Sequence, residues 1–127
     1  MGMETQVLPA RLPADLSDGV FPAGCPSRTV LDHITSKWGV LILLSLSEGE
    51  QRWSDLRRRA EGISEKMLAQ TLKTLERDGL VLRKSQPVIP PRVDYSLTDR
   101  GYELSALLIP LVAWAYNNAD EILNGER

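Results

Sequence analysis

The sequence predicts a mainly α-helical fold with one small β-hairpin, an α+β arrangement. Five segments have the caps or the apolar spacing of helices. Between the fourth and fifth of them, residues 80–83 and 93–97 carry the β-branched and aromatic residues typical of short strands. Pro87, Pro90 and Pro91 separate the two strands, which excludes a tight two-residue turn and favours a stiff, projecting loop.

The helices follow in chain order from their caps and spacing. The first is predicted from residue 26 or 27 to about 36. The second, from about 38 to 47, is apolar nearly all round, which is typical of a helix at the centre of a core. Residues 51–53 form a short extended piece, and Ser54 is the predicted N-cap of a third helix. A long last helix is predicted from Thr98 to about 123, with Pro110 kinking or dividing it.

The fourth helix, residues 64–78, has the clearest ends. Ser64 is a favourable N-cap, Ile63 and Leu68 occupy the two positions of a hydrophobic staple, and Gly79 supplies the stop. At 100° per residue the leucines fall on one side of this helix, so one side is predicted to pack and the other to reach outward. The outward stripe consists of Lys66, Gln70, Lys73 and Arg77.

The chain length, the composition and the charge limit which class of protein this sequence can encode. The chain has 127 residues, one cysteine and one histidine, so no internal disulfide, histidine-rich metal site or cofactor is implied. No apolar run approaches the roughly 20 residues of a membrane span, and we expect a cytoplasmic protein without a membrane partner. The net charge is −2, but residues 50–100 contain eleven Lys and Arg against eight Asp and Glu. Because phosphate attraction depends on the local field, this basic segment still favours a nucleic-acid-binding face.

The order of elements is that of a winged helix-turn-helix, and the hairpin would be its wing. We predict an irregular arm over residues 1–24, the winged helix-turn-helix domain over 25–123 and a tail over 124–127. In such a fold the fourth helix enters the major groove and the wing reaches along the backbone toward the minor groove. The predicted DNA-binding residues are Ser64, Lys66, Gln70, Thr71 and Lys73 on the recognition helix and Arg92, held by the prolines at the stiff tip of the wing.

Several basic residues are weaker candidates for phosphate contacts. Lys37 precedes the second helix and is nearly as well explained as a solvent-exposed residue. Three adjacent arginines follow in the third helix, and only one or two of them can face the same partner, with Arg57 or Arg58 favoured. Arg77 continues the outward stripe of the fourth helix. The aromatic side chains of Trp38, Trp53, Tyr95 and Trp114 are predicted to pack in the core or in a dimer rather than to stack on bases.

The sequence resembles the HxlR-type bacterial transcriptional regulators over about residues 25–116. The resemblance rests on "SKWGVLILLSL", "GISEKMLAQTLKTLERDGLVLRK" and "PVIPPRVDYSLTDRG", in that order. It implies a homodimer whose first and last helices form the interface and whose two recognition helices bind a pseudo-palindromic operator in double-stranded DNA. Two positions depart from the family pattern: Ser36, where Gly is frequent, and Thr71, where Arg is frequent. Thr cannot make the bidentate contact of Arg to guanine, so the base preference is in doubt.

Cys25 is a candidate redox sensor. Pro26 favours the first helical position, which leaves the thiol beside a helix N-terminus that stabilises a thiolate. A cysteine before this proline recurs in the HxlR-type family that the sequence resembles, and some members of that family respond to oxidants. The alternative is an inert, small buried residue. Catalysis is disfavoured because Cys25 and His33 stand about two helical turns apart, beyond hydrogen-bond reach.

The sequence therefore predicts a sequence-specific, homodimeric DNA-binding regulator, most simply a repressor, that responds to a small molecule or an oxidant. The competing prediction is a winged-helix module that binds protein and has lost specific DNA contact. The polar stripe on the fourth helix and Arg92 favour the DNA-binding prediction.

Overall fold

The structure is a computed structural model that describes residues 25–125. It divides into two compact units, one up to Asp32 and one from His33 onward. The predicted arm and the last two residues of the predicted tail lie outside the described residues. The elements, in chain order, are α1 Pro26–Ile34, α2 Lys37–Ser47, β1 Gln51–Arg52, α3 Trp53–Arg59, α4 Glu65–Arg77, β2 Val81–Gln86, β3 Arg92–Leu97 and α5 Asp99–Asn124.

The core of the second unit is built around α2. Ile42, Leu43 and Leu46 are completely buried, which follows from a helix that is apolar nearly all round. The leucines of α4 pack into the same cluster, together with residues from α3, the sheet and α5. The predicted staple residues are also part of this core, since Ile63 is 6% exposed and Leu68 is fully buried. The described part of the chain contains no helix long and apolar enough to cross a membrane.

The sheet is antiparallel, with β3 in the centre, β1 on one side and β2 on the other. The mainly helical fold with a small sheet and the winged helix-turn-helix are thus confirmed. The wing strands are longer than predicted, because Gln86 pairs with Arg92 and Ser85 pairs with Val93. Only residues 87–91 remain outside the ladder, so Arg92 lies just behind the tip and not on it, which corrects its predicted placement.

Two further details differ from the sequence prediction. Ser54 is not the N-cap of α3, because β1 runs directly into the helix: Arg52 occupies the cap position without a side-chain cap, and Trp53 is already helical. Pro110 does not divide α5, which runs unbroken through it. Because Pro110 has no N–H, the carbonyl of Ala106 lacks its hydrogen-bond partner within the helix. Ala106 is exposed, so water can donate to this carbonyl instead.

The end of α4 and the beginning of α5 meet at what we call the Thr98 junction, formed by Gly79, Leu80, Thr98 and Gly101. Gly79 has a φ of 78°, which ends α4 and turns the chain into β2. The Thr98 hydroxyl caps α5 by accepting from the Gly101 N–H at 3.0 Å, and it donates to the Gly79 carbonyl at 2.7 Å. The Thr98 N–H donates to the Leu80 carbonyl at 3.0 Å. These bonds join α4 to α5 at the base of the wing.

Gly101 allows this junction to close. A Cβ at position 101 would lie 2.2 Å from the Leu80 carbonyl oxygen and within 3.1 Å of two Leu97 side-chain atoms. The carbonyl is backbone that is itself hydrogen-bonded, so it cannot move away easily. A side chain here would therefore force α5 and the start of β2 apart.

We expect Gly101→Ala to destabilise the protein. Alanine gains about 1 kcal/mol in helix propensity, but the clash costs about 1–3 kcal/mol, and a backbone atom at this distance favours the upper end of that range. Urea unfolding monitored by circular dichroism measures the net loss. The control is Glu103→Ala, an exposed position in the same helix, for which we expect a change within about 0.5 kcal/mol. A Gly101→Ala protein as stable as the wild type would show that the junction opens without cost.

Candidate nucleic-acid interface

The outward side of α4 is polar and exposed. Its leucines at 68, 72 and 75 are buried, which fixes the rotation of the helix about its own axis. Thr71 is only half-buried and lies at the edge of the exposed surface. The predicted recognition residues that lie fully on that surface are Ser64, Lys66, Gln70 and Lys73, and Arg77 continues it.

Ser64 orders the first turn of this helix. Its side-chain oxygen accepts from the Met67 N–H at 3.0 Å, which confirms the predicted N-cap. Glu65 in the same turn pairs with Arg57 of α3, Nη1 to Oε2 at 2.8 Å. Both side chains are exposed, so the pair contributes at most about 1 kcal/mol. Arg57 can contact a phosphate through its remaining N–H donors or by exchanging this partner.

The three arginines of α3 point to three different acidic partners. Arg58 pairs with Asp55 in its own helix, whereas Arg59 pairs with Glu48 at the end of α2. The separation agrees with the geometric argument that three consecutive helical residues cannot serve one ligand. The roles of Arg57 and Arg58 as phosphate contacts stay predictions.

Lys37 occupies the first position of α2 and lies over an aromatic ring. Its Nζ is 4.4 Å from the centroid of the Trp38 ring, a cation–π contact. Trp38 is half-buried and packs against the core, as predicted for this aromatic residue. Lys37 itself is exposed, so it is accessible to a phosphate.

The wing carries a buried carboxylate beneath an exposed arginine. The Asp94 side chain is 3% exposed and that of Arg92 is 48% exposed. The Arg92 Nε donates to Asp94 Oδ1 at 3.1 Å, and the Gln86 amide donates to Asp94 Oδ2 at 3.0 Å. The guanidinium is therefore oriented from behind while its outer part faces solvent.

The balance of forces at Asp94 favours the ionised form. Burial alone raises the pKa of this carboxyl, but the hydrogen bonds from Arg92 and Gln86 and the charges of Arg92 and Arg52 outweigh it and hold the pKa below its ordinary value of 3.8. Asp94 is thus a permanent negative charge at neutral pH, and its pairing with Arg92 is charge-assisted.

Outside α4 and the wing, α5 exposes a series of large apolar side chains. Trp114 is 59% exposed and Tyr116 is 84% exposed, and the series runs along most of the helix. Val30 and Leu31 of α1 are also exposed. These two helices are the ones that the family resemblance assigns to a dimer interface. The other exposed apolar residues of α5 are Tyr102, Leu107, Ile109, Leu111, Ile122 and Leu123.

Cys25 directly precedes α1. Its carbonyl accepts from the N–H groups of Arg28 and Thr29 at 3.0 and 3.3 Å, so it occupies the cap position expected from the Cys-Pro sequence. The residue is half-buried. His33 lies with Nδ1 2.7 Å from Oδ2 of Asp78, the residue at the C-cap of α4.

Sequence reasoning missed two residues near this surface, Asp94 and Arg52. Asp94 was only a polar position in the alternation of a strand, and Arg52 only part of a short extended piece. In the structure they lie directly opposite each other on β3 and β1. The signal available was an acidic residue two positions after the wing arginine, at a spacing that puts both on one face of a strand.

A family model and the sequences of known proteins match most of this chain. A family model described as HxlR-like helix-turn-helix matches residues 33–122. The HTH-type transcriptional regulator YtfH of Escherichia coli K12, itself uncharacterised, is 51% identical over 113 residues, which are 88% of this chain and 90% of that protein.

Solved structures of regulators also align with most of this chain. A transcriptional regulator ytfH from Salmonella typhimurium aligns with a TM-score of 0.79 and 51% identity, covering 85% of this chain and 97% of that chain. The redox regulator HypR in its oxidised form aligns with a TM-score of 0.69 and 34% identity, covering 74% of this chain and 97% of that chain.

The Asp94 environment predicts how stability depends on pH. The folded protein holds the Asp94 proton less tightly than the unfolded chain, so the stabilisation is complete above pH 3.8 and is lost as the pH falls through the lower folded pKa. We expect Asp94→Asn to lower the Tm at neutral pH, with a difference from the wild type that shrinks below pH 3.8. Thermal unfolding across this range measures it.

The control for this experiment is Asp120→Asn, which removes an exposed carboxylate from α5. Its Tm should follow that of the wild type at every pH. A difference between Asp94→Asn and the wild type that stays constant down to the lowest pH would contradict the electrostatic account of Asp94.

Proposed function

The chain belongs to the HxlR-like helix-turn-helix family, and from that membership we propose that it is a homodimeric transcriptional repressor that binds a two-fold symmetric operator and is controlled by oxidation of Cys25. The coarser statement, a DNA-binding regulator of transcription, follows from the family and from relatives named as transcriptional regulators. The observation that carries the proposal is the exposed polar side of α4 beside a wing with an oriented arginine.

The proposed DNA-binding residues would make different kinds of contact, according to the chemistry of their side chains. Gln70 presents an amide that can donate to and accept from one base edge, as in contacts to adenine. Lys66 and Lys73 supply charge on either side of it. Thr71, half-buried at the edge of the exposed surface, contributes a hydroxyl and a methyl group. Arg92 and the phosphate candidates Lys37, Arg57, Arg58 and Arg77 add affinity that does not depend on base sequence.

A second copy of the chain is the proposed cover for the apolar side chains of α5. Large aromatic and aliphatic residues exposed along one helix form a surface that water disfavours, and burial in an isologous dimer removes this cost. A two-fold axis through such an interface would place two α4 helices in successive major grooves, about 34 Å apart. Occupancy of a promoter by this dimer would repress transcription by excluding the polymerase.

The proposed switch uses the cysteine before α1. Its cap position favours the thiolate, which attacks one oxygen of hydrogen peroxide; the O–O bond breaks, and the products are a sulfenic acid and, after protonation, water. The similarity to the redox regulator HypR supports this part of the proposal. The sulfenic acid changes charge and size next to the proposed dimer helix α1, through which the operator affinity would change.

The function is tested by fluorescence anisotropy with labelled DNA from upstream of the protein's own gene, competed with random duplex at fixed salt. We expect binding that survives a large excess of random competitor, with two protomers per site. If random duplex displaces the labelled DNA as effectively as unlabelled DNA of the same sequence does, the binding reflects only attraction to phosphates. Absence of binding to every duplex at low salt would favour the protein-interaction module instead.

Two variants separate base contact from phosphate contact. Gln70→Ala should reduce the preference for operator over random duplex by about 1–3 kcal/mol, because it removes a base-edge contact. Arg92→Ala should weaken binding to both duplexes equally and reduce the slope of log K against log salt by about one. If Arg92→Ala leaves affinity and slope unchanged, the wing arginine does not contact DNA.

Cys25→Ser tests the switch. The variant should bind the operator like the reduced wild type and keep that affinity after peroxide, because serine has no thiolate to oxidise. The wild type should change its affinity on oxidation and recover it with dithiothreitol. A serine variant that still responds to peroxide would rule out Cys25 as the sensor, since the chain has no other cysteine.

A further inference from the structure

A pocket lies just behind the tip of the wing, apart from the residues of α4. It has a volume of about 210 Å³ and opens to solvent between the β1–α3 connection and the beginning of β3. Two of its lining side chains are arginines that come from different strands. The pocket is lined by Arg52, Trp53, Ser54, Pro91, Arg92 and Val93.

Arg52 is positioned by the sheet. It pairs with Asp94 across β1 and β3, and because directly opposite residues of an antiparallel pair point to the same side, both side chains lie on one face. Within residues 25–125 the Arg52 side chain makes no hydrogen bond or ion pair, and the residue is exposed. Its charge therefore remains available to an external anion.

Arg92 reaches the same pocket with its orientation already set. Asp94 holds its Nε, and the terminal nitrogens of a guanidinium carry four further N–H donors in a planar fork. Gln86 holds the second oxygen of Asp94, so the carboxylate cannot turn away. A side chain fixed in this way loses little conformational entropy when it binds a ligand.

The charges and donors around the pocket define the ligand. Two guanidinium groups line the pocket, the Asp94 carboxylate behind them offsets one positive charge, and the exposed Ser54 hydroxyl adds a neutral donor. Lys84 pairs with Asp94 from β2 and adds a further positive charge on this face of the sheet. This set suits an anionic group with several acceptor oxygens, and Arg is the residue that recognises planar pairs of such oxygens. A phosphodiester has this chemistry, and in the proposed complex the wing follows the DNA backbone.

We propose that this pocket binds one phosphate of the DNA backbone, held by Arg52, Arg92 and Ser54, with Asp94 as the positioning residue for Arg92. The site rests on the proposed function, since it requires that the wing approach duplex DNA. It extends the interface beyond the wing arginine to β1, an element that otherwise only completes the sheet.

A random-sequence duplex is sufficient to test the site, because a phosphate contact carries no base information. We measure the Kd of a labelled duplex by anisotropy over a series of salt concentrations. Arg52→Ala should raise Kd by roughly fivefold to tenfold and reduce the salt slope. Arg52→Lys should restore the slope but not the full affinity, because lysine keeps the charge without the fork.

The matched control is Arg100→Ala. Arg100 is an exposed arginine that lines a different pocket at the start of α5, so its removal changes the net charge equally but leaves the proposed site intact. Equal effects of Arg52→Ala and Arg100→Ala would overturn the proposal, because the loss would then reflect total charge. Circular dichroism confirms that each variant is folded.

The double variant Arg52→Ala/Arg92→Ala tests whether the two arginines share one phosphate. For a shared phosphate the two losses should not be additive, and the slope of the double variant should fall by about one in total. Additive losses with a slope reduction of about two would mean two separate phosphates and would overturn the single site. If the wild type binds no duplex at all, the proposed function fails first; if it binds and Arg52→Ala equals the control, only this inference fails.

Discussion

The burial of α2 is the constraint on which the other elements depend. Its completely buried leucine and isoleucine side chains belong to one apolar cluster with residues of α3, α4, the sheet and α5, and each such side chain contributes about 1.5–3 kcal/mol when removed from water. The leucine side chains of α4 are buried against α2 in the same apolar cluster. The polar side of α4 must then face outward, so the orientation of the predicted DNA-binding residues of α4 is a consequence of apolar packing and not of any polar interaction.

Electrostatics act locally in this molecule. The chain as a whole is slightly acidic, yet its acidic residues are used to orient basic ones: Glu65 holds Arg57, Asp55 holds Arg58 and Asp94 holds Arg92. The first two pairs are exposed and exchange with solvent easily. The pair in the wing differs because its carboxylate is buried and is also held by Gln86, so Asp94 orients the arginine in the absence of a ligand.

Elements with strong local signals were predictable, and contacts that depend on strand register were not. The ends of α4 follow from Ser64, Ile63 and Gly79, all within a few residues of the helix, and both ends agree with the prediction. Ser54 was mistaken for a cap because the short strand before α3 is fixed only by pairing with β3. Arg52 and Asp94 are 42 positions apart in the sequence, and no periodicity connects them.

The Thr98 junction has a consequence for how such proteins diverge. Its hydrogen bonds close the chain at Leu80 and Thr98, so everything between them is a hairpin whose two ends are held together independently of its length. Insertions or deletions at residues 87–91 would alter the reach of the wing without moving α4 relative to α5. Wing length can therefore drift during evolution while the helices on either side of it keep their geometry.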